Sequence, residues 1–573
     1  MTPDTADVAL YFDPDGYVEQ LGPPARPAAG APLGLMGRQV AGKEFLDAYL
    51  AHGRWDTLTA VVSSRGRADP LVRLCREHPS SRARQRRLRV VEESGFLAPG
   101  GAAARVLHLP HPPDGRFAWA RHAAGAAFAL SGVTHTLASA GAANALCELV
   151  AAPFEPFDAL VCTSRAVADM VRAVTGSYCD YLGERFGGNP ALRLRLETIP
   201  LGVNPEKFRP PAPEERTARR RALGVADDEV MVLSVGRLSH HAKAHPFPVF
   251  HAADQAARRT GRKVHLVMAG WAASPAIAEA FRGGARYFAP AARVSFADGQ
   301  DPAVRAGVWP AADVFVSLPD NVQETFGLVV VEAMASGLPV VGSDWDGYRD
   351  LVADGETGLL VPTRMVRGAT AGSTGRLLFG GVNYDHFLAE VSQAAAVDPA
   401  AAADAMTRLV ADDGLRRRMG EAGRRRAVER FAWEHVVRAY ESLWAEQQRE
   451  LAKGSPAAPP GPVRYPAPER SFAGYPTAWL DDASTVRAAD GATAVLAPLL
   501  NMPLTGTAAE RRCRDPQAVA DVLRAAAGPR SVGELAAALE RAGAGPEAAR
   551  ATIAWLLKYG LLRADGVTSP GGA

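Results

Sequence analysis

The sequence predicts an α/β protein of two sheet-centred domains with a small helical domain behind them. Three observations carry that expectation. The chain has 573 residues, several times a typical domain of roughly 100 to 200, so one core is excluded. Its 47% hydrophobic and 22% charged residues match a globular protein rather than a disordered or fibrous one. Short apolar runs alternate with helix-compatible segments, the signature of α/β units around a mostly parallel sheet.

In the first series the runs are VALYF (8–12), LTAVVS (58–63), RVLHL (105–109), AAFALSG (126–132), DALVCTS (158–164) and LETIP (196–200). The second comprises VMVLSV (230–235), KVHLVMAG (263–270), RVSF (293–296), ADVFVSL (312–318), LPVVGS (338–343) and GLLVP (358–362). Runs such as VMVLSV are apolar at nearly every position, as strands covered on both faces require. Between the series, FRPPAPEERTARRRALG (208–224) replaces apolar periodicity with prolines and a solvated charge run. A helix-compatible stretch at 434–453 leads into the Pro/Gly-rich linker 454–470. Beyond it, three short amphipathic helices (DPQAVADVLRAA, SVGELAAALERA, PEAARATIAWLLKYG) precede LLRADG, a pattern like a winged helix. The expected boundaries are 1–215, 216–453, a linker at 454–470, and a tail at 471–573.

Composition excludes several functions. With 64 basic and 62 acidic side chains the net charge is +2, so no global field draws the chain to nucleic acid. The tail from 515 to 566 balances six positive against six negative side chains and lacks a DNA-binding footprint, which favours a protein or peptide partner. Five scattered cysteines (75, 147, 162, 179, 513) and a start without a signal-peptide pattern predict a reducing, cytoplasmic setting. The stretch from His122 to Cys147 is free of Asp, Glu, Lys and Arg but interrupted by polar residues, and reads as a buried strand followed by an Ala-rich helix rather than a membrane span. SRARQRRLR (81–89), with five arginines, reads as a solvated connecting helix, with peripheral membrane contact as the alternative.

The segment ADVFVSLPDNVQETFGLVVVEAMASGLPVV (312–341) reads strand, loop, helix, strand. Glu324 lies in the loop, the helix opens near Gly327, and Glu332 follows along it. A helix start offers unpaired N–H groups and about half a positive charge, which suits phosphate, and Gly327 lets backbone come close. An ionised carboxylate accepts both protons of a vicinal diol. Two Glu residues bracketing such a start would hold diols on either side of a sugar nucleotide's pyrophosphate. Spacing alone is equally that of two unrelated surface carboxylates, since Glu is common on helices.

This segment resembles the EX7E motif of retaining GT-B glycosyltransferases of family 4, with Glu324 and Glu332 at the motif positions. VLSVGRLSHHAKAH (232–245) resembles the family's VGRL…K segment through Arg237 and Lys243. LETIPLGVNPEKFRP (196–210) resembles its interdomain signature, with Leu201 and Asn204 departing from it, and SGVTHTLAS (131–139) resembles the segment carrying a donor-contacting histidine, here His135. DWDGYRDLVADGETGLLVP (344–362) resembles its glycine-containing loop and following strand. The resemblance covers about residues 100 to 450. It implies the GT-B architecture of two Rossmann-like domains facing across a cleft, the donor in the second and the acceptor in the first. Glu324 is implied to contact the transferred sugar, Glu332 the ribose, Arg237 and Lys243 the pyrophosphate, and the backbone at Phe326, Gly327 and Leu328 the sugar and phosphate. The partners implied are a nucleotide-sugar donor and a glycan or other hydroxyl acceptor, without cofactor or metal. A GT-B epimerase or phosphorylase and a non-catalytic sugar-nucleotide-binding scaffold are the alternatives.

Three further patterns resemble sites. DWD (344–346) and DPD (13–15) offer paired carboxylates for Mg²⁺, but lack a nearby third ligand. His240, His241, His245 and His251 have zinc-like density, yet Pro246 and Pro248 break the helix that would align them. Gly34, Gly37 and Gly42, before a helix, read as an acceptor-side glycine loop.

Overall fold

The computed structural model describes residues 7–17, 37–97, 104–454, 464–505 and 515–564. The chain divides into two compact units, Met1–Val463 and Arg464–Ala573. The larger holds two seven-stranded sheets built to one plan. The strands of the first are β1 (Val8–Tyr11), β2 (Thr57–Val62), β3 (Arg87–Glu92), β4 (Val106–Leu109), β5 (Ala129–Val133), β6 (Ala159–Cys162) and β7 (Arg195–Thr198). Their order is β3-β2-β1-β4-β5-β6-β7, all parallel. Every residue of β1, β4, β5 and β6 is buried, as their continuous apolar runs require.

The arginine-rich segment corrects the expectation of one connecting helix. A short helix, Ser81–Gln85, gives way to the edge strand β3. Leu88 and Val90 alternate inward while Arg87 and Arg89 face water, so period-two patterning overrode the charge run. Arg86 lies 4.5 Å over the Trp55 ring and donates to the Gly53 carbonyl (2.6 Å).

The second sheet comprises β8 (Glu229–Val235), β9 (Lys263–Gly270), β10 (Arg293–Asp298), β11 (Val314–Ser317), β12 (Val340–Asp344), β13 (Gly358–Met365) and β14 (Ala395–Val397). The order is β10-β9-β8-β11-β12-β13-β14, parallel except for the terminal β14. The short edge strand β14 escaped the sequence reading because three residues carry no periodicity. The segment between the halves is also more ordered than its charge suggested: Pro213–Ala222 is a helix with Pro at its start and Glu214 and Glu215 in the first turn, where fixed φ and the dipole favour them. Arg220 is buried and donates to Asp313 (3.0 Å) and to the Ala311, Ala226 and Glu229 carbonyls. An arginine run thus clamps helix to sheet.

The chain then returns to the first half. Val203 bridges Ala432, and the helix Trp433–Lys453 buries Trp433, Val437, Tyr440, Leu443 and Trp444 in the core beside Leu10, Phe45, Leu46 and Leu58. Two Rossmann-like halves with a C-terminal helix crossing back form the expected GT-B arrangement.

The smaller unit contains helices Ala492–Leu500, Pro516–Ala525, Val532–Arg541 and Pro546–Lys558. Ser531 and Glu534 form a complete capping box on the third, which satisfies two orphan N–H groups. The three strands β15 (Thr485–Ala488), β16 (Arg530–Ser531) and β17 (Leu562–Ala564) pair antiparallel in the order β16-β15-β17. Among the described residues, the strand paired with β17 comes from upstream of the helices. Linker residues 455–463 and Cys513 lie outside the described residues.

Candidate functional site

After β11 the chain runs through Leu318–Phe326 before the helix Leu328–Ala335. Gly327 caps that helix at φ 105° and ψ 58°, a left-handed conformation that costs a residue with a Cβ. Added there, a Cβ would stand 2.5 Å from the Tyr348 ring. The Phe326 side chain is buried in the core, 6.4 Å from Phe431, so only its backbone faces the loop. With Gly327 supplying no side chain, the first-turn N–H groups lie at the exit of the parallel strands, where open α/β sheets bind ligands.

Glu324 and Lys243 meet there. The ammonium lies 3.1 Å from the Glu324 carboxylate, whose other oxygen accepts from the Thr325 N–H (3.3 Å). Burial would push the Glu324 carboxyl up, but Lys243 and the Thr325 and Phe326 amides together hold it below its usual range. Glu324 is thus an ionised acceptor. The turn carrying Lys243 is pinned from the loop after β11: Asn321 donates to the Lys243 carbonyl and both Asp320 oxygens accept from the His245 N–H (3.2 and 3.3 Å). Burial raises Asp320 to about 7. Arg237, after β8, donates to the Gln323 side chain (3.2 Å). Lys243 and Arg237, on one segment, are therefore joined to the distant Glu324 loop.

Glu332 lies about one turn along the helix, in a different environment. Burial, and then the Glu44 carboxylate, raise it to about 8, against the pull of Lys207. Glu44 belongs to the first half's helix Gly37–His52 and pairs with Lys207 at 3.3 Å. The two motif carboxylates thus differ in charge state near neutrality.

His135 lies beyond β5, half-buried, and its Nε2–H donates to the Pro110 carbonyl (2.9 Å). It borders a small cavity shared with Tyr17, Phe45, His108, Pro110 and Tyr440. His108 is fully enclosed, and burial pushes its imidazole down to about 3, keeping it neutral. The neighbour of His135, Thr136, contacts the Tyr384 hydroxyl (3.5 Å), which accepts from Gln323 (3.3 Å). A polar path thereby joins the His135 segment to the loop holding Glu324 and Arg237.

The sequence reading missed Asp346 as a neighbour of Glu324. It is the non-glycine residue at positive φ (49°) among the described residues, and its buried Oδ2 has no hydrogen-bond partner. Burial, then Glu324, raise its carboxyl to about 8. A tight Asp-Gly pair in DWDG was the available signal. Asp344 lies 3.9 Å from Arg349, and Asp13 pairs with Arg67 (2.6 Å). Among the described residues, no three His, Cys, Asp or Glu side chains converge as metal ligands. Pro246 and Pro248 correct another expectation: they start the helix Phe247–Thr260 rather than break it, placing His251 inside it, because proline fits a first turn. Gly37 and Gly42 likewise lie within a helix, not before it, and Gly34 is outside the described residues. The helix packs so closely on the Pro14–Tyr17 turn that a Cβ at Gly42 would meet the Gly16 carbonyl at 2.0 Å.

Fold and site define a two-domain α/β protein with an anion-ready helix start framed by two cations and several carboxylates. Residues 229–378, which carry that start, match the model of the family Glycosyl transferases group 1. D-inositol 3-phosphate glycosyltransferase of Geodermatophilus obscurus is 31% identical over 319 residues, covering 53% of this chain and 58% of that protein. The Nocardia farcinica enzyme of the same name is 35% identical over 198 residues, 34% of this chain and 42% of its own length. The chain thus spans less than two thirds of these relatives. Among solved structures, sucrose-phosphate synthase from Thermosynechococcus elongatus is 19% identical, covers 78% of this chain and all of its own, and has a TM-score of 0.45. Anabaena HepE in complex with UDP and glucose is 17% identical over 77% of this chain and 99% of its own, also at 0.45.

Proposed function

We propose that the protein transfers a sugar, with retention, from a nucleoside-diphosphate sugar to an acceptor hydroxyl. The observation that carries this reading is the Lys243–Glu324 pair at 3.1 Å beside the Gly327 helix start, inside the segment matching the glycosyltransferase family. Lys243 and Arg237 would hold the pyrophosphate, with the Gly327 and Leu328 N–H groups and the Phe326 backbone beside them. A cation 4 Å from a phosphate charge is worth on the order of 4 kcal/mol at an effective dielectric near 20. Two cations and a helix dipole would stabilise the departing diphosphate in a metal's place. Glu324 would hold the transferred sugar, Glu332 the ribose diol, and His135 would face the sugar from the first half. No side chain is assigned as a double-displacement nucleophile; the departing phosphate would assist removal of the acceptor's proton on the same face.

The curated relatives are named for D-inositol 3-phosphate, so a phosphorylated polyol is the first acceptor class to test. A screen of nucleotide sugars by thermal shift should select a donor, because ligand at 100 times its Kd adds about 2.7 kcal/mol of stability. Product analysis with and without acceptor then decides. A glycosylated acceptor of retained configuration supports transfer; epimerised donor or sugar 1-phosphate would sink it. No helix among the described residues is long and apolar enough to cross a membrane, which is compatible with the proposed cytoplasmic site of action. For the smaller unit, with its own core and balanced charge, we propose a protein or peptide partner. Residues 471–573 expressed alone should fold and show no salt-sensitive DNA binding.

A further inference from the structure

The helix Arg165–Phe186 of the first half begins against the loop that carries Glu324. Its cap, Ser164, is fully buried and uses both capacities of its hydroxyl: it accepts from the Val167 N–H (3.3 Å) and donates to the Thr325 carbonyl (2.8 Å). The next residue grips the second half twice. The Arg165 N–H and guanidinium donate to the two oxygens of Asp350, at 2.7 and 2.5 Å. That carboxylate therefore lies at a helix N-terminus, where the dipole favours negative charge.

What these contacts hold is the wall of the candidate donor site. Asp350 belongs to the helix Tyr348–Leu351, whose Tyr348 covers Gly327 and contacts Ser317 through its hydroxyl (2.8 Å). The preceding Gly347 packs on backbone of Thr325 and Phe326 so tightly that a Cβ would stand 2.7 to 2.8 Å from them. Arg426 holds the far side of the same helix through the Asp350 and Leu351 carbonyls (2.9 and 2.7 Å). Arg426 and Asp350 lie in the second half, whereas Ser164 and Arg165 come from the first.

We propose that Ser164 and Arg165 are positioning residues that lock the Glu324–Gly327 loop in its working geometry when the two halves are closed. Neither touches the reacting atoms. Acting through Thr325 and Asp350, they make completion of the donor site depend on the acceptor-side domain. The kinetic consequence rests on the donor-site reading above; the mechanical one does not.

Two measurements on the full-length chain test this separately. By hydrogen exchange, Ser164→Ala, Arg165→Ala and Asp350→Asn should each speed the amides of 325–331 and 344–350 about fivefold to tenfold, the scale of one modest hydrogen bond, while β8 exchanges as before. Arg165→Ala and Asp350→Asn leave the Ser164 cap in place, so they still decide if Ser164→Ala loosens its own helix. By kinetics, the variants should lower kcat about fivefold to tenfold with the Kd of free nucleoside diphosphate within twofold, and Ser164→Thr, which keeps the hydroxyl, should restore both readouts. Wild-type exchange and kcat in all three variants would overturn the proposal, as would a Ser164→Thr protein as impaired as Ser164→Ala. Faster exchange in a protein that transfers no sugar would support the lock while removing the glycosyl-transfer reading.

Discussion

Two ion pairs of the larger unit, one in each half, are built in opposite ways. In the first half, Arg121 and Asp158 are 5% and 0% exposed. They meet through two bonds of 2.6 and 2.7 Å, while the carboxylate also accepts from the Leu130 and Glu155 N–H groups and the guanidinium donates to the Phe128 and Pro153 carbonyls. Such saturation leaves no capacity for a ligand. In the second half, Lys243 gives Glu324 one hydrogen bond and keeps 42% of its side chain open. Burial makes a pair structural when every donor and acceptor is used, and makes it a site when capacity remains. The strand exits show the same contrast: the first half ends at a neutral, aromatic cavity around His108 and Tyr17, the second at cations and carboxylates.

The largest effect should come from breaking the saturated pair. Asp158→Ala leaves the Arg121 charge buried without its partner and should lower unfolding free energy by about 3 to 5 kcal/mol, read by denaturant melts; under folding conditions, the Kd for nucleoside diphosphate should stay near wild type. Lys243→Ala should do the reverse, cutting kcat about 10² to 10³-fold as charge grows on the departing phosphate with little change in melting. Equal damage to stability by both substitutions would erase the distinction.

Glu324→Ala should impair turnover and sugar discrimination yet leave free-diphosphate affinity nearly unchanged in calorimetry. Loss of diphosphate binding there, with Glu332→Ala intact, would reverse the two carboxylate roles. Glu332 adds a pH signature. Its carboxyl is raised to about 8, so it is protonated below and ionised above that pH. Because a diol-binding carboxylate must be ionised to accept both protons, the donor KM should fall as pH rises from 6 to 9, by up to about tenfold per unit below 8. Glu332→Gln should flatten the profile. The smallest effect belongs to Tyr384→Phe, which removes the long contacts to Gln323 and Thr136 and should reduce kcat/KM about twofold to threefold.

Strands fully buried on both faces were legible because their apolar runs have no other stable placement; KVHLVMAG became β9 residue for residue. The edge strand β3 and the helix Pro213–Ala222 were not, because their arginines mask patterning that only Trp55, Asp313 and the facing carbonyls make sense of. The Glu324–Gly327–Glu332 frame was visible as spacing and resemblance. Asp346 was legible only as half of the DWD carboxylate pair, and Ser164 not at all, since an orphaned carboxylate oxygen and a hydroxyl shared between a helix cap and another domain's carbonyl arise only from packing.

By itself, the sequence determined the alternation of strands and helices, the placing of a glycine before an apolar helix, and the residue types around it, because propensity and periodicity act over a few neighbouring positions. Tertiary structure decided the charge states and the partners. Glu324 and Glu332 are the same residue type eight positions apart, yet Lys243 keeps one ionised while burial beside Glu44 raises the other to about 8. Electrostatic energy depends on distance and solvent access in space, and both were set only when segments more than 80 residues apart closed around the loop.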